Sequence, residues 1–173
     1  MEYTHVTHTF EPVFDTESEI LILGSFPSVK SRENRFYYGH PQNRFWKVTA
    51  AVCGCDVPVG IEEKKRFLLQ NKIAVWDVIA SCDIIGSSDS SIRNVTGNDM
   101  NVILEKAPVR CIFTNGDKAY RLFLKYCMDQ KRRETPYPEV CRLPSTSPAN
   151  AAWSLERLTE TWRAEIGHFL TRR

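Results

Sequence analysis

The chain has 173 residues, a length that fits one domain spanning 1–173 with a full-sized core, and its 42% apolar and 25% charged content is ordinary for a folded protein. A net charge of +2 excludes blanket attraction to nucleic acid, so any basic footprint must be local. No apolar stretch approaches the roughly 20 residues that span a bilayer, and the opening "MEYTHVTHTFEPVF" lacks a signal-peptide core.

Four short apolar runs read as strands: Ile20–Leu23, Ile73–Trp76, Val109–Phe113 and Val140–Leu143. Between them lie segments of helical periodicity. Asn43–Val52 puts Phe45, Val48, Thr49 and Val52 roughly on one face, and Glu62–Asn71 carries Phe67 and Leu68 behind a charged first turn. Asn98–Lys106 starts at a candidate Asn cap, and Gly116–Met128 groups Tyr120, Phe123, Leu124 and Cys127. Ala151–Leu170 carries the longest stripe, from Trp153 to Phe169. The charged, proline-containing segment Met128–Glu139 reads as a flexible insert. Alternating strands and helices predict an α/β three-layer sandwich, with a central four-stranded parallel sheet flanked by helices.

In such a sheet ligands bind beyond the carboxyl ends of the strands. The four exits are "GSFPS", the segment from Asp77 to Asn94, "TNGDKA" and "LPSTSPAN", and all are rich in small polar residues. In the last, Ser145, Thr146 and Ser147 stand between two prolines ahead of a helix, which suits a phosphodiester clamp as well as a plain capped turn. After the first strand, Lys30, Arg32, Arg35 and Arg44 are interleaved with Phe26, Phe36, Tyr37, Tyr38 and Phe45, a mixture suited to a phosphate track beside a stacked base. Tyr38, flanked by Gly39 and Pro41, is the better stacking candidate. Asp77 at its strand end could accept from a base edge or simply solvate a turn. Six cysteines include one C-x-C pair and no C-x-x-C, and the histidines are scattered, so no metal is expected. P-loop, dinucleotide and hydrolase-elbow motifs are missing.

Together "LILGSFPS", "YYGHPQNRFW" and "LPSTSPAN" resemble the motifs of the uracil-DNA glycosylase superfamily, most closely its hypoxanthine-DNA glycosylase branch. The resemblance implies hydrolysis of the N-glycosidic bond of a deaminated base in DNA, without metal or nucleotide cofactor. It implies catalytic roles for Asn43 and Asn115. Base contacts would come from Gly24, Ser25, Phe26, Tyr38 and Asp77. Phosphate contacts would come from Ser145, Thr146, Ser147, Asn150, Lys30 and Arg32. Phe26 stands where the mismatch-specific branch has a water-positioning asparagine, which disfavours that branch's mechanism here. A uracil-preferring glycosylase and a non-catalytic binder of damaged DNA are the alternatives. The expected partner is DNA carrying a deaminated base, with no membrane association and a monomeric state. A cytoplasmic location is expected, nucleoid-associated if the source is prokaryotic.

Overall fold

The computed structural model describes residues 2–128 and 136–170. Most of the predicted flexible insert, residues 129–135, lies outside the described residues. Three of the predicted strands fall where expected or one residue longer: β2 is Ile20–Gly24, β3 is Ile73–Asp77 and β7 is Glu139–Leu143. The third predicted strand is shifted, because β6 runs Cys111–Asn115. Val109 and Arg110 instead precede it, and the Arg110 backbone N–H donates to the Glu19 carbonyl. All pairs in the order β3-β2-β6-β7 are parallel. The residues of β2 and β3 are buried throughout, in keeping with the apolar runs Ile20–Leu23 and Ile73–Trp76 in a sheet covered on both faces.

A second sheet was not anticipated. β1 (Thr4–Thr7), β4 (Ile79–Ile84) and β5 (Arg93–Gly97) form a three-stranded antiparallel sheet in the order β1-β4-β5. The segment after Asp77 is therefore not a polar loop. Its mixed composition hid β4, whose pairing with β5 is irregular near Ser81. The N-terminal segment then returns to the main sheet, where Val13 pairs with Val75 on the β3 edge.

The helices are α1 (Val29–Asn34), α2 (Phe45–Cys53), α3 (Ile61–Gln70), α4 (Asn101–Leu104), α5 (Asp117–Tyr126) and α6 (Leu155–Leu170). Helix α1 was not predicted. It lies inside the segment after β2, started by Ser28, whose hydroxyl accepts from the Ser31 N–H, and closed by Arg35 in the left-handed region at φ 56°. Helix α6 starts later than expected. Residues 151–153 form turns, and the Ser154 hydroxyl accepts from the Arg157 N–H to begin the helix. Nor does Asn98 cap α4: its side chain donates to the Asp77 carbonyl, 2.9 Å away.

Helix α2 packs on α6, α3 on β3, and α5 on β6. Trp162 and Phe45, both fully buried, meet edge to face at 6.0 Å between α6 and α2. From β2 the chain crosses to β3, then back over β2 to β6, so connections diverge between β2 and β6. That divergence leaves a crevice at their carboxyl ends. Among the described residues, no helix is long and apolar enough to cross a membrane.

Candidate active site

The crevice holds a cavity of about 310 Å³. Its walls come from all four strand exits: Gly24–Ser28 after β2, Asp77 at the end of β3, Asn115 at the end of β6 and Ser145–Ala149 after β7. Tyr38, His40 and Asn43 close it from the segment ahead of α2. Residues from distant parts of the sequence thus share one small chamber.

The two predicted asparagines are joined through Thr146. Asn115 grips it twice: its Oδ1 accepts from the Thr146 N–H at 3.0 Å and its Nδ2 donates to Thr146 Oγ1 at 3.0 Å. With its oxygen already accepting, the Thr146 hydroxyl donates to Asn43 Oδ1 at 2.8 Å. Asn43 Oδ1 also accepts from the Phe45 N–H at 2.9 Å, in a turn that starts α2. Both lone pairs of the Asn43 carbonyl are used. The chain of donors therefore fixes the amide of this cavity-lining residue, and leaves its N–H2 without a protein acceptor among the described residues. Thr146, expected at a phosphate, is 0% exposed and serves this relay instead.

The neighbouring serines are placed differently. Ser145 Oγ accepts from the Ser147 N–H at 3.1 Å, and Ser147 Oγ accepts from the Ala149 N–H at 3.2 Å. Neither hydroxyl donates to another described residue, so each keeps its O–H for a ligand. Asn150 spends its amide on the Ser145 carbonyl and lines an adjoining, more open groove with Arg142 and Trp153. Because α6 begins only at Leu155, the "STSPAN" turn does not sit on a helix N-terminus as expected.

Arg44 holds this turn in place. Its guanidinium donates to the carbonyls of Trp153, Ser147 and Asn150, the last two at 3.0 and 3.1 Å, and its backbone N–H donates to the Thr146 carbonyl. It is thus not a free cation, and no local pattern in the sequence distinguishes it from its neighbours. A lysine cannot reproduce a planar fork that meets three carbonyls. We expect Arg44→Lys to cost about 1.5–3 kcal/mol of stability, the range for hydrogen bonds to a charged group, and to slow any reaction that depends on Thr146. Thermal denaturation beside an activity assay checks this.

Two of the other three basic candidates are also tied to backbone carbonyls. Arg32 donates to the Gly86 carbonyl at 2.6 Å and lies 5.7 Å from the centre of the Phe26 ring, so it braces the cavity wall. Burial lowers its pKa from the ordinary arginine value, with a smaller opposing effect from Cys82. Arg35 donates to the Thr9 carbonyl. Lys30 is exposed and faces Glu33 at 3.7 Å, leaving it within reach of solvent and ligands.

Around the floor, Gly24 and Asp77 are partners on adjacent strands. The carbonyls of Gly24 and Ser25 each accept one hydrogen bond, from the N–H groups of Val78 and Ile79, which fixes their direction at the cavity floor. The Ser25 hydroxyl donates to Asp89, at 3.2 Å. Asp89 is exposed as a residue, yet the protein crowding its carboxyl raises its pKa, an effect that the Ser25 hydrogen bond and Lys118 partly offset. The sequence reading missed Asp89 among the serines of residues 87–91. Tyr38, at φ 52°, stacks its ring on Phe45 at 3.9 Å, so one face expected for a base is already covered. Phe26, 9% exposed, lines the cavity and packs on the inner wall.

A model of the Uracil DNA glycosylase superfamily matches residues 11–166, nearly the whole of this fold and every exit that lines the cavity. The chain belongs to the uracil DNA glycosylase superfamily. It is a DNA glycosylase, an N-glycosyl hydrolase, and damaged DNA is its substrate. It is similar to a hypoxanthine DNA glycosylase of Methanosarcina acetivorans, 37% identical over 163 residues that cover 92% of this chain and 97% of the relative. A hypoxanthine DNA glycosylase of Methanosarcina barkeri is 35% identical over 112 residues, covering 64% of this chain and 71% of that one. A solution NMR structure from Methanosarcina acetivorans, described as a candidate uracil DNA glycosylase, shares the fold with a TM-score of 0.73. It is 36% identical, covering 92% of this glycosylase and 95% of that chain. The α/β architecture with a four-stranded parallel sheet agrees with that similarity.

Proposed function

We propose that this glycosylase excises hypoxanthine from DNA and that Asn43 is its principal catalytic residue. The observation that carries the reading is the Asn115–Thr146–Asn43 relay, which presents a preorganised N–H2 donor to a chamber bounded by all four strand exits. Similarity to two hypoxanthine DNA glycosylases supports the substrate.

In the reaction the bond between the sugar C1′ and the base nitrogen breaks, and the base departs with the electron pair. Water adds its oxygen to C1′, and one of its protons ends on the base. The transition state is oxocarbenium-like, as in other glycoside hydrolyses, so negative charge develops on the leaving base. An amide is no general base at neutral pH. With its carbonyl occupied, Asn43 contributes a donor toward that charge at no cost of reorganisation. Asn115 acts on Thr146, and through it on Asn43. Phe26 walls the base. The free O–H groups of Ser145 and Ser147, with exposed Lys30, meet the flanking phosphates.

The test is incubation with duplexes carrying one deoxyinosine or one deoxyuridine, followed by alkali cleavage at abasic sites. Preferred cleavage at deoxyinosine supports the reading. Cleavage confined to deoxyuridine moves the substrate, and tight binding without cleavage of either overturns the catalytic assignment.

A further inference from the structure

Deamination exchanges a donor and an acceptor on a base edge. Adenine presents an amino group beside a bare ring nitrogen, whereas hypoxanthine presents a carbonyl beside a ring N–H. Uracil differs from cytosine by the same exchange. A reader of that change needs a fixed acceptor next to a donor. An amide free to turn over would accept either edge.

The cavity floor holds such a pair. A methyl group built on Gly24 would stand 2.5 Å from Asp77 Oδ1 and 3.1 Å from the Tyr38 hydroxyl, so the two oxygens converge on the same bare α-carbon. Both residues line the cavity. Among the described residues the buried Tyr38 oxygen has no hydrogen-bond partner, a costly state for a phenol. Asn115 is near enough to draw the phenol slightly toward ionisation, but burial and then Asp77 outweigh it and hold its pKa well above the usual tyrosine range. The hydroxyl thus stays a donor.

Asp77 is held from behind. His8 Nε2 lies 2.8 Å from Asp77 Oδ2, and the two side chains are only 4% and 5% exposed. His8 comes from outside the parallel sheet, just past β1, where its backbone N–H donates to the Ala80 carbonyl at 2.7 Å. Phe10 lies against its ring at 4.4 Å, with Tyr37 and Phe26 around it. The Asp77 carbonyl is separately tied to Asn98. With Oδ2 occupied, Oδ1 is the oxygen left for a ligand.

We infer that Asp77 and Tyr38 read the deaminated edge, with Asp77 Oδ1 accepting the ring N–H and the Tyr38 hydroxyl donating to the carbonyl oxygen. His8 is a positioning residue that donates to Oδ2 and aims the carboxylate. Adenine would set its bare ring nitrogen against the carboxylate oxygen. The inference rests on the base-excision reading above.

Single-turnover cleavage of duplexes carrying deoxyinosine, deoxyuridine or deoxyadenosine tests it, with thermal melting alongside. Tyr38→Phe removes an unpartnered buried hydroxyl, so it is expected to melt no lower than wild type. It should nevertheless cleave deoxyinosine about tenfold more slowly, the loss of one substrate hydrogen bond. His8→Phe keeps a ring in the aromatic cage but loses the donor, and should lose about ten- to a hundredfold, as for a hydrogen bond to a charged group. His8→Gln carries an N–H to the same oxygen and should recover most of the rate. Wild-type rates in Tyr38→Phe overturn the inference, as do equal losses in both His8 variants that follow melting temperature. Cleavage confined to deoxyuridine, with the same variant pattern, supports it, since uracil carries the same edge. A wild type that cleaves neither overturns the base-excision reading and this inference with it.

Discussion

Asn43→Ala is expected to reduce single-turnover excision by about 10²–10³-fold, the cost of removing one preorganised donor from a site of developing charge. Binding to the same duplex should change little, because the proposed role sets the amide at the reacting centre and not at the phosphates. The truncation also removes the acceptor for the Phe45 N–H and the Thr146 hydroxyl, for roughly 1 kcal/mol each. Asn43→Asp separates these contributions. A carboxylate keeps both accepted hydrogen bonds but loses the N–H2, and sets a negative charge against the departing base. It should be as slow as alanine while melting close to wild type. Activity restored by aspartate, rising with pH, would point to a general base and overturn the donor role. Thr146→Val is the companion variant: nearly isosteric, it cuts the relay and should slow excision with binding retained.

Gly24→Ala is the second large effect. Gly24 is an ordinary strand residue, so its role is close approach and not backbone freedom. The added methyl would lie 2.5 Å from Asp77 Oδ1, and Asp77 cannot swing aside easily while its other oxygen meets His8 and its carbonyl meets Asn98. Overpacking of this kind costs about 1–3 kcal/mol. Excision should fall by about 100-fold or more, since a displacement of about 1 Å at a reacting geometry carries that penalty. A double-mutant cycle identifies the cause. Adding Asp77→Ala should relieve the clash, so that the stability losses of the two changes are less than additive even though His8 loses its partner, and excision is not recovered. Purely additive losses would show that the methyl acts elsewhere.

Much of this molecule is written in local pattern. Ile20–Leu23 and Ile73–Trp76 are apolar on every residue because both faces of their strands are covered, and that signal survives in one dimension. Helix α6 keeps its stripe, with Leu158, Trp162 and Ile166 buried at successive turns. The polar strand exits gave the chamber's address, and Asn43, Asn115 and Asp77 all reach it. Less legible were β4 and β5. β4 mixes buried with half-buried residues and β5 half-buried with exposed ones, neither in strict alternation, and serine and glycine around residues 86–91 imitate a loop.

Partnership was decided elsewhere. Hydrophobic periodicity records which face of an element is buried, because burial repeats along each strand or helix. It carries no record of which polar group meets which. The Asp77–His8 contact spans 69 positions of sequence, and the Thr146–Asn43 hydrogen bond spans 103. Such pairings depend on strand register, on the crossover from β3 over β2 to β6, and on a second sheet that carries His8 behind Asp77. The sequence by itself determined the layers, the parallel sheet and the kind of chemistry at its rim. Only the tertiary structure turned Thr146 and Arg44 inward as braces and left the Tyr38 hydroxyl near Gly24 without a partner among the described residues, because a hydrogen bond is satisfied by position in space and not by position in the chain.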